Sequence, residues 1–193
     1  MNPIFAQKYD IKSENSSDHW KYFNCVGKVV LDLGCGRWDV TDHQELSPVY
    51  FLKNGAKEVI GIDGSQTEIE YFKANVTDEN AEFHQANIST KEDLINLINA
   101  YGVEAIKCDI EGSETAFFNF TKEDFAGVDT LAIEYHSADI FNRLVEFLPT
   151  MGFTLETWGR LWVPGMGVVF ATTNPAPEPI KNKPSIVTTA PSE

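Results

Sequence analysis

The chain has 193 residues, 42% hydrophobic and 23% charged, enough apolar material for one compact core and too little for two. Its 15 Lys and Arg against 29 Asp and Glu leave a net charge of −14, which disfavours phosphate backbones and anionic membrane surfaces as the main partner. The opening run Met1-Asn2-Pro3-Ile4-Phe5-Ala6-Gln7-Lys8 lacks a signal peptide's basic start and apolar stretch, and nothing approaches ~18 uninterrupted apolar residues, so a cytoplasmic protein without nucleic-acid or membrane partners is expected.

In chain order, residues 1–27 read as an N-terminal extension with a helix over Glu14–Cys25 that packs Trp20 and Phe23. From Lys28 onward, short β-branched runs alternate with longer amphipathic ones, the pattern of a mostly parallel sheet covered by helices on both faces. Strands are predicted over Lys28–Leu33, Glu58–Ile62, Ala81–Ala86, Glu104–Ile110 and Thr130–Tyr135. Helices are predicted over Gln44–Lys53, Gln66–Asn75, Lys91–Ala100, Glu114–Phe118 and Ala138–Thr150. Pro48 belongs in a first helical turn, which makes Ser47 the candidate N-cap.

Phe153–Thr157 and Gly167–Ala171 have no helix-length segment between them and are expected to pair as an antiparallel hairpin. Trp158, Trp162 and Met166 fall in or beside its connection, placed either to roof a pocket or to cover the core. Five βα units and this hairpin amount to an α/β, Rossmann-like sandwich with a seven-stranded sheet, occupying residues 28–172. Residues 173–193 are rich in Pro and Ser and read as a disordered tail. Cys25, Cys35 and Cys108 form no C-x-x-C pair and read as small buried hydrophobes.

The buried run Val29-Val30-Leu31-Asp32-Leu33 ends in Gly34-Cys35-Gly36, where the backbone can approach a ligand in the crevice beyond the strand ends. A dinucleotide fingerprint would need a third glycine at the position of Asp39, where a carboxylate opposes a pyrophosphate. A nicotinamide dehydrogenase is therefore disfavoured. Asp32 suits instead a cationic, phosphate-free ligand whose ammonium it neutralises, such as S-adenosyl-L-methionine. The second predicted strand ends in Asp63-Gly64, an edge where a carboxylate accepts from both ribose hydroxyls, and Asn87 follows the third strand in position to read an adenine edge.

Strand alternation places Asp109 and Glu111 on one side, and Glu134 and His136 share the end of the next strand, so these side chains are expected to converge. His136 is the first candidate for a base that takes a proton from the acceptor. The same groups could alternatively hold a divalent ion, although no ligand spacing demands one. Glu114 reads as a first-turn acid complementing a helix dipole, Gly112 as a backbone hinge, and His43 as a solvated loop residue beside Asp42.

Val29 to Gly36, Gly61-Ile62-Asp63-Gly64 and above all Ile106-Lys107-Cys108-Asp109-Ile110-Glu111-Gly112-Ser113-Glu114 resemble the FkbM family of class I, S-adenosylmethionine-dependent methyltransferases, over Lys28 to Ala171. The usual D-x-G-x-G-x-G loop departs here at Trp38, which stands in place of the third glycine. The resemblance implies a methyltransferase acting on an oxygen of a small-molecule or glycan-like acceptor, with Asp109 beside the methionine part of the cofactor and Glu111 and Glu134 contacting the acceptor. No N-P-P-[YF] motif of amino-group methyltransferases occurs, Asn174-Pro175-Ala176 in the tail being the nearest fragment. The non-enzymatic rival is an interaction module that keeps a degenerate adenosyl site.

Overall fold

The structure, a computed structural model, describes residues 8–10, 18–37, 46–111, 113–160 and 166–173, with the side chains of 8–10, 18–19, 113 and 156–160 left out. The strands are β1 (Lys8–Asp10), β2 (Val29–Leu33), β3 (Glu58–Asp63), β4 (Ala81–Gln85), β5 (Ala105–Cys108), β6 (Thr130–Tyr135), β7 (Thr154–Arg160) and β8 (Gly167–Thr172). The α-helices are α1 (Ser47–Lys53), α2 (Gln66–Asn75), α3 (Lys91–Tyr101) and α4 (Ala138–Thr150).

The strands form one sheet in the order β1-β7-β8-β6-β5-β2-β3-β4. β2 to β6 run parallel, whereas β8 is antiparallel to both β6 and β7. The seven-stranded sandwich with its antiparallel C-terminal hairpin is therefore present. The short strand β1 extends it by one at the edge, parallel to β7, an addition that its three residues give no periodicity to reveal.

β2, β5 and β6 are buried along their whole length, which their Val, Ile, Leu and Ala content permits because helices cover both faces. Val29, Leu31 and Leu33 face α3, α4 and the 3-10 helix Ser113–Asn119, meeting Leu94, Phe117, Leu144 and Leu148. Val30, one residue out of phase, faces Trp20, Phe23 and Phe51 of the other layer. Beside that second layer α2 sets Ile69 and Phe72 against Phe83, the one buried residue of the edge strand β4. The three cysteines are buried and unpaired, as their spacing suggested.

Local chemistry ends the helices. α3 begins with a reciprocal capping box between Thr90 and Asp93 and stops at Gly102 in the left-handed conformation. The Ser137 hydroxyl accepts from the Ile140 N–H at 3.2 Å to start α4, and Pro149 falls in that helix's last turn.

Several boundaries differ from expectation. At the start of α1 the cap position is Leu46, and Ser47 is already helical; its hydroxyl donates to Asp32 Oδ2 at 2.6 Å instead of capping the helix. Of the predicted Glu14–Cys25 helix, the described residues from Asp18 onward hold a five-residue 3-10 helix, Asp18–Tyr22, which buries Trp20 against Phe51 and Phe170. The predicted Glu114–Phe118 helix is also of 3-10 form, and β5 stops at Cys108, short of Ile110. Trp38, Asp39, Asp42, His43, Gly112, Trp162, the Trp158 side chain and residues 174–193 lie outside the described parts. No helix among the described residues is long and apolar enough to cross a membrane.

Candidate active site

β2 has β3 on one side and β5 on the other, so the strand order reverses at this point and a crevice opens beyond the carboxyl ends. The chain leaves β2 through Gly34, whose φ is +69°, and a Cβ there would fall 1.6 Å from the Asp109 carbonyl oxygen. Glycine is thus required by the turn and by the neighbouring strand before any ligand is considered. The Gly36 N–H donates to Asp63 Oδ2 at 2.9 Å, and a Cβ on Gly36 would come within 2.7 Å of the same oxygen.

The second Asp63 oxygen accepts from the Ser65 N–H at 2.8 Å, which fixes the carboxylate at the end of β3. Asn87, just beyond β4, lies over Gly64, where a Cβ would meet Asn87 Oδ1 at 2.5 Å. Gly34, Gly36, Asp63, Gly64, Asn87 and Asp109 all line one crevice of about 600 Å³. The turn is braced from outside. Arg37 donates through Nε and a terminal nitrogen to the two Glu68 oxygens at 2.7 and 2.9 Å, and its guanidinium stacks 3.8 Å from the Tyr71 ring centre. Hydrogen bonding to Arg37 holds the Glu68 carboxyl below its ordinary pKa.

Asp32 is the exception on the donor side. It is fully buried, lies opposite Lys107 in the β2–β5 register, and has Lys107 Nζ 3.1 Å from Oδ1. Burial pushes its carboxyl pKa up, while Lys107 and the Ser47 hydroxyl oppose that shift. Burial works against the Lys107 charge too, but the Asp32 and Asp109 carboxylates hold its pKa above the ordinary value. The expectation that Asp32 meets a ligand's ammonium is therefore corrected: its charge is already answered by Lys107, beneath the turn.

On the acceptor side the cluster gains a member and loses one. Glu114, fully buried on the 3-10 helix, has Oε1 at 2.9 Å from His136 Nδ1, so it is the imidazole's partner and not a surface acid serving a helix dipole. His136 Nε2 stands 3.6 Å from Asp109 Oδ1 and 3.9 Å from Glu134 Oε1. Glu111, beyond the end of β5, adopts φ +40° and is exposed on the crevice rim, because the alternation that would have aligned it with Asp109 ends with the strand.

These contacts set the protonation states. The Glu114 carboxylate 2.9 Å from the ring, against the opposing effect of burial, lifts His136 to about 9. Burial, reinforced by the Asp109 charge, lifts Glu134 to about 8. Both shifts act in the same sense around neutral pH, favouring the imidazolium at His136 and the protonated carboxyl at Glu134. Asp109, Glu114 and His136 could each offer one atom to a cation within 4.8 Å of one another, but the His136 nitrogen nearest Glu114 is already engaged by that carboxylate.

Lys107 and Glu114 are the participants that sequence reasoning missed. A lysine inside the apolar run Ala105-Ile106-Lys107-Cys108 was itself a signal, since a charge on a buried strand needs a counter-charge nearby.

The chain matches no family model and no curated protein. Solved structures do resemble it. A candidate S-adenosylmethionine-dependent methyltransferase from Listeria monocytogenes shares 16% identity at a TM-score of 0.55, over 80% of this chain and 94% of that one. A Streptococcus agalactiae protein of the NADB-Rossmann superfamily gives 13% and 0.58 over 84% and 69%. A candidate tRNA (m1A22) methyltransferase from Streptococcus pneumoniae, solved with S-adenosyl-L-methionine, gives 19% and 0.51 over 76% and 66%. At these identities the likeness establishes the fold: a Rossmann-like sandwich of the class I methyltransferase type.

Proposed function

We propose that the chain is an S-adenosylmethionine-dependent methyltransferase of the FkbM-like kind, acting on an oxygen of a small-molecule or sugar-like acceptor. The observation that carries this reading is one crevice with the glycine turn, Asp63 and Asn87 on one wall and Asp109 leading into the Glu134, His136 and Glu114 cluster on the other. The residues fit the cofactor: the turn is kept clear of side-chain atoms at Gly34 and Gly36, and among the described lining residues Arg37 is the one base near a pyrophosphate's place, and Glu68 engages it.

Asp63 has about four acceptor positions, of which Gly36 and Ser65 take two, leaving others for ribose hydroxyls. Asn87 would read the adenine edge, and Asp109 would face the methionine portion. The bound cofactor supplies an electrophilic methyl group on a sulfonium. The protein's part is to align the acceptor hydroxyl and receive its proton. Glu134, once it has released its own proton, takes that proton, with Asp109 and the His136 imidazolium beside it setting its charge. Glu111, on the rim, contacts the acceptor.

A second reading, RNA methylation, is favoured by the names of two similar structures, the S. pneumoniae protein and a candidate RNA methyltransferase from Pyrococcus horikoshii. Against it, the crevice lining carries Asp63, Glu68, Asp109 and Glu111 with only Arg37 among basic residues, an unfavourable surface for phosphates. Calorimetry with S-adenosylhomocysteine and with NADH, followed by methyl transfer to hydroxylated small molecules, sugars and tRNA, decides the matter. Binding of NADH alone would overturn the reading, transfer to tRNA alone would replace the acceptor, and binding of neither cofactor would leave the interaction module.

A further inference from the structure

We propose that Lys107 is a positioning residue that holds the donor and acceptor halves of the crevice at a fixed separation. Its side chain is 4% exposed, and its ammonium donates to the Gly34 carbonyl at 2.6 Å and approaches the Leu33 carbonyl at 3.4 Å, the two residues that begin the glycine turn. The same nitrogen is 3.1 Å from Asp32 Oδ1 and 4.0 Å from Asp109 Oδ2. One buried charge thus reaches the turn on the cofactor side and the carboxylate that begins the acceptor cluster. The indole of Trp20, with its centre 5.7 Å from Nζ, closes the layer beneath it.

A lysine serving only as the counter-ion of Asp32 would be a poor use of the site, since a buried ion pair contributes little over an apolar pair of equal volume. What an apolar pair could not replace is the hydrogen bond to the Gly34 carbonyl and the charge beside Asp109. Asp109 is faced by Lys107 from β5, Asp32 from β2, Glu134 and His136 from the end of β6, and Glu114 from the 3-10 helix. Lys107 is the one cation among them apart from His136, and it remains charged after His136 loses its proton. Its loss therefore leaves Asp109 among carboxylates and the turn without its anchor.

The binding part of this proposal rests on the methyltransferase reading, whereas the effects on the turn and on Asp109 do not. The experiment compares wild type, Lys107→Met and the double variant Asp32→Asn/Lys107→Met, which removes the buried charge that the single variant strands. It reads thermal stability, amide hydrogen exchange at Gly34 to Gly36, carboxyl NMR titration of Glu134, and S-adenosylhomocysteine affinity.

The double variant is expected to recover most of the stability lost in the single one. Its turn amides should still exchange faster, its Glu134 titration should lie higher by about one pH unit or more, and binding should be weaker by at least about tenfold, or about 1.4 kcal/mol. Recovery of exchange, titration and affinity together with stability would reduce Lys107 to a counter-ion and overturn the proposal, as would a single variant unchanged in all of them. If wild type does not bind S-adenosylhomocysteine, the methyltransferase reading falls, and the exchange and titration data still decide the role of Lys107.

Discussion

Replacing Glu114 by Gln removes a carboxylate while keeping its shape, and the effect should be read at His136. The imidazole is pushed up to about 9 in the folded chain against an ordinary value near 6.5, with the adjacent Glu114 carboxylate the largest cause and burial opposing it. A displacement of that size corresponds to about 3 kcal/mol of preference for the charged imidazole in the folded state. Because the folded value is raised, this stabilisation is fully present below the unfolded pKa, declines as pH rises above it, and is gone once pH passes the folded value. E114Q should therefore titrate His136 well below its wild-type value, since the largest cause of the rise is removed while burial still opposes the charge. It should cost about 2–3 kcal/mol at pH 6 and progressively less between pH 6.5 and 9. Side-chain NMR titration of His136 and urea unfolding across that range measure both. An imidazole titrating where it does in wild type, or a stability difference that stays flat with pH, would show that Glu114 does not set its charge.

The remaining predictions concern the same crevice. Gly34→Ala must place a Cβ against the Asp109 carbonyl at a positive φ, so unfolding free energy should fall by at least about 3 kcal/mol, and a melting curve like wild type would contradict the packing described. Asp63→Ala frees the Gly36 N–H and should weaken S-adenosylhomocysteine binding by about tenfold or more in calorimetry, whereas unchanged affinity would take Asp63 out of the site. Methyl transfer should rise with pH through about 8 as Glu134 gives up its proton and fall again above about 9 as the His136 imidazolium is lost; a flat kcat/KM profile from pH 7 to 9.5 would remove the cluster from the chemistry. Glu111→Gln, on the rim, should alter acceptor KM and leave cofactor affinity within about twofold, and a large loss of S-adenosylhomocysteine binding would argue against that placement.

The layers, and the gathering of Gly34, Gly36, Asp63 and Asn87 along one crevice, were legible because each depends on short-range pattern: buried runs, turn glycines, an acid at a strand end. What was not legible depends on pairing across distance. Glu114 and His136 are twenty-two positions apart and meet only because β6 lies beside the 3-10 helix. Asp32 looked like a ligand group because the sequence does not show that Lys107 sits opposite it in the register. The alignment of Glu111 with Asp109 was misjudged for a local reason: strand alternation was carried three residues past Cys108, where β5 ends. The identity of His136 was visible from its place after β6, but its protonation was not, since charge state is a property of neighbours.

The Asp32 and Lys107 pair also bears on how the centre of the sheet assembles. A strand offset by a single residue presents its opposite set of side chains to each layer. If β5 slid by one position along β2, the ammonium would be driven into the apolar layer of Leu31 and Phe117, and Asp32 would be left alone with Val30 and Phe51. Neighbouring strands made only of Val, Ile and Ala would tolerate such misalignment far better. Two opposite charges in the middle of an oily sheet thus act as an alignment key, penalising every pairing but one.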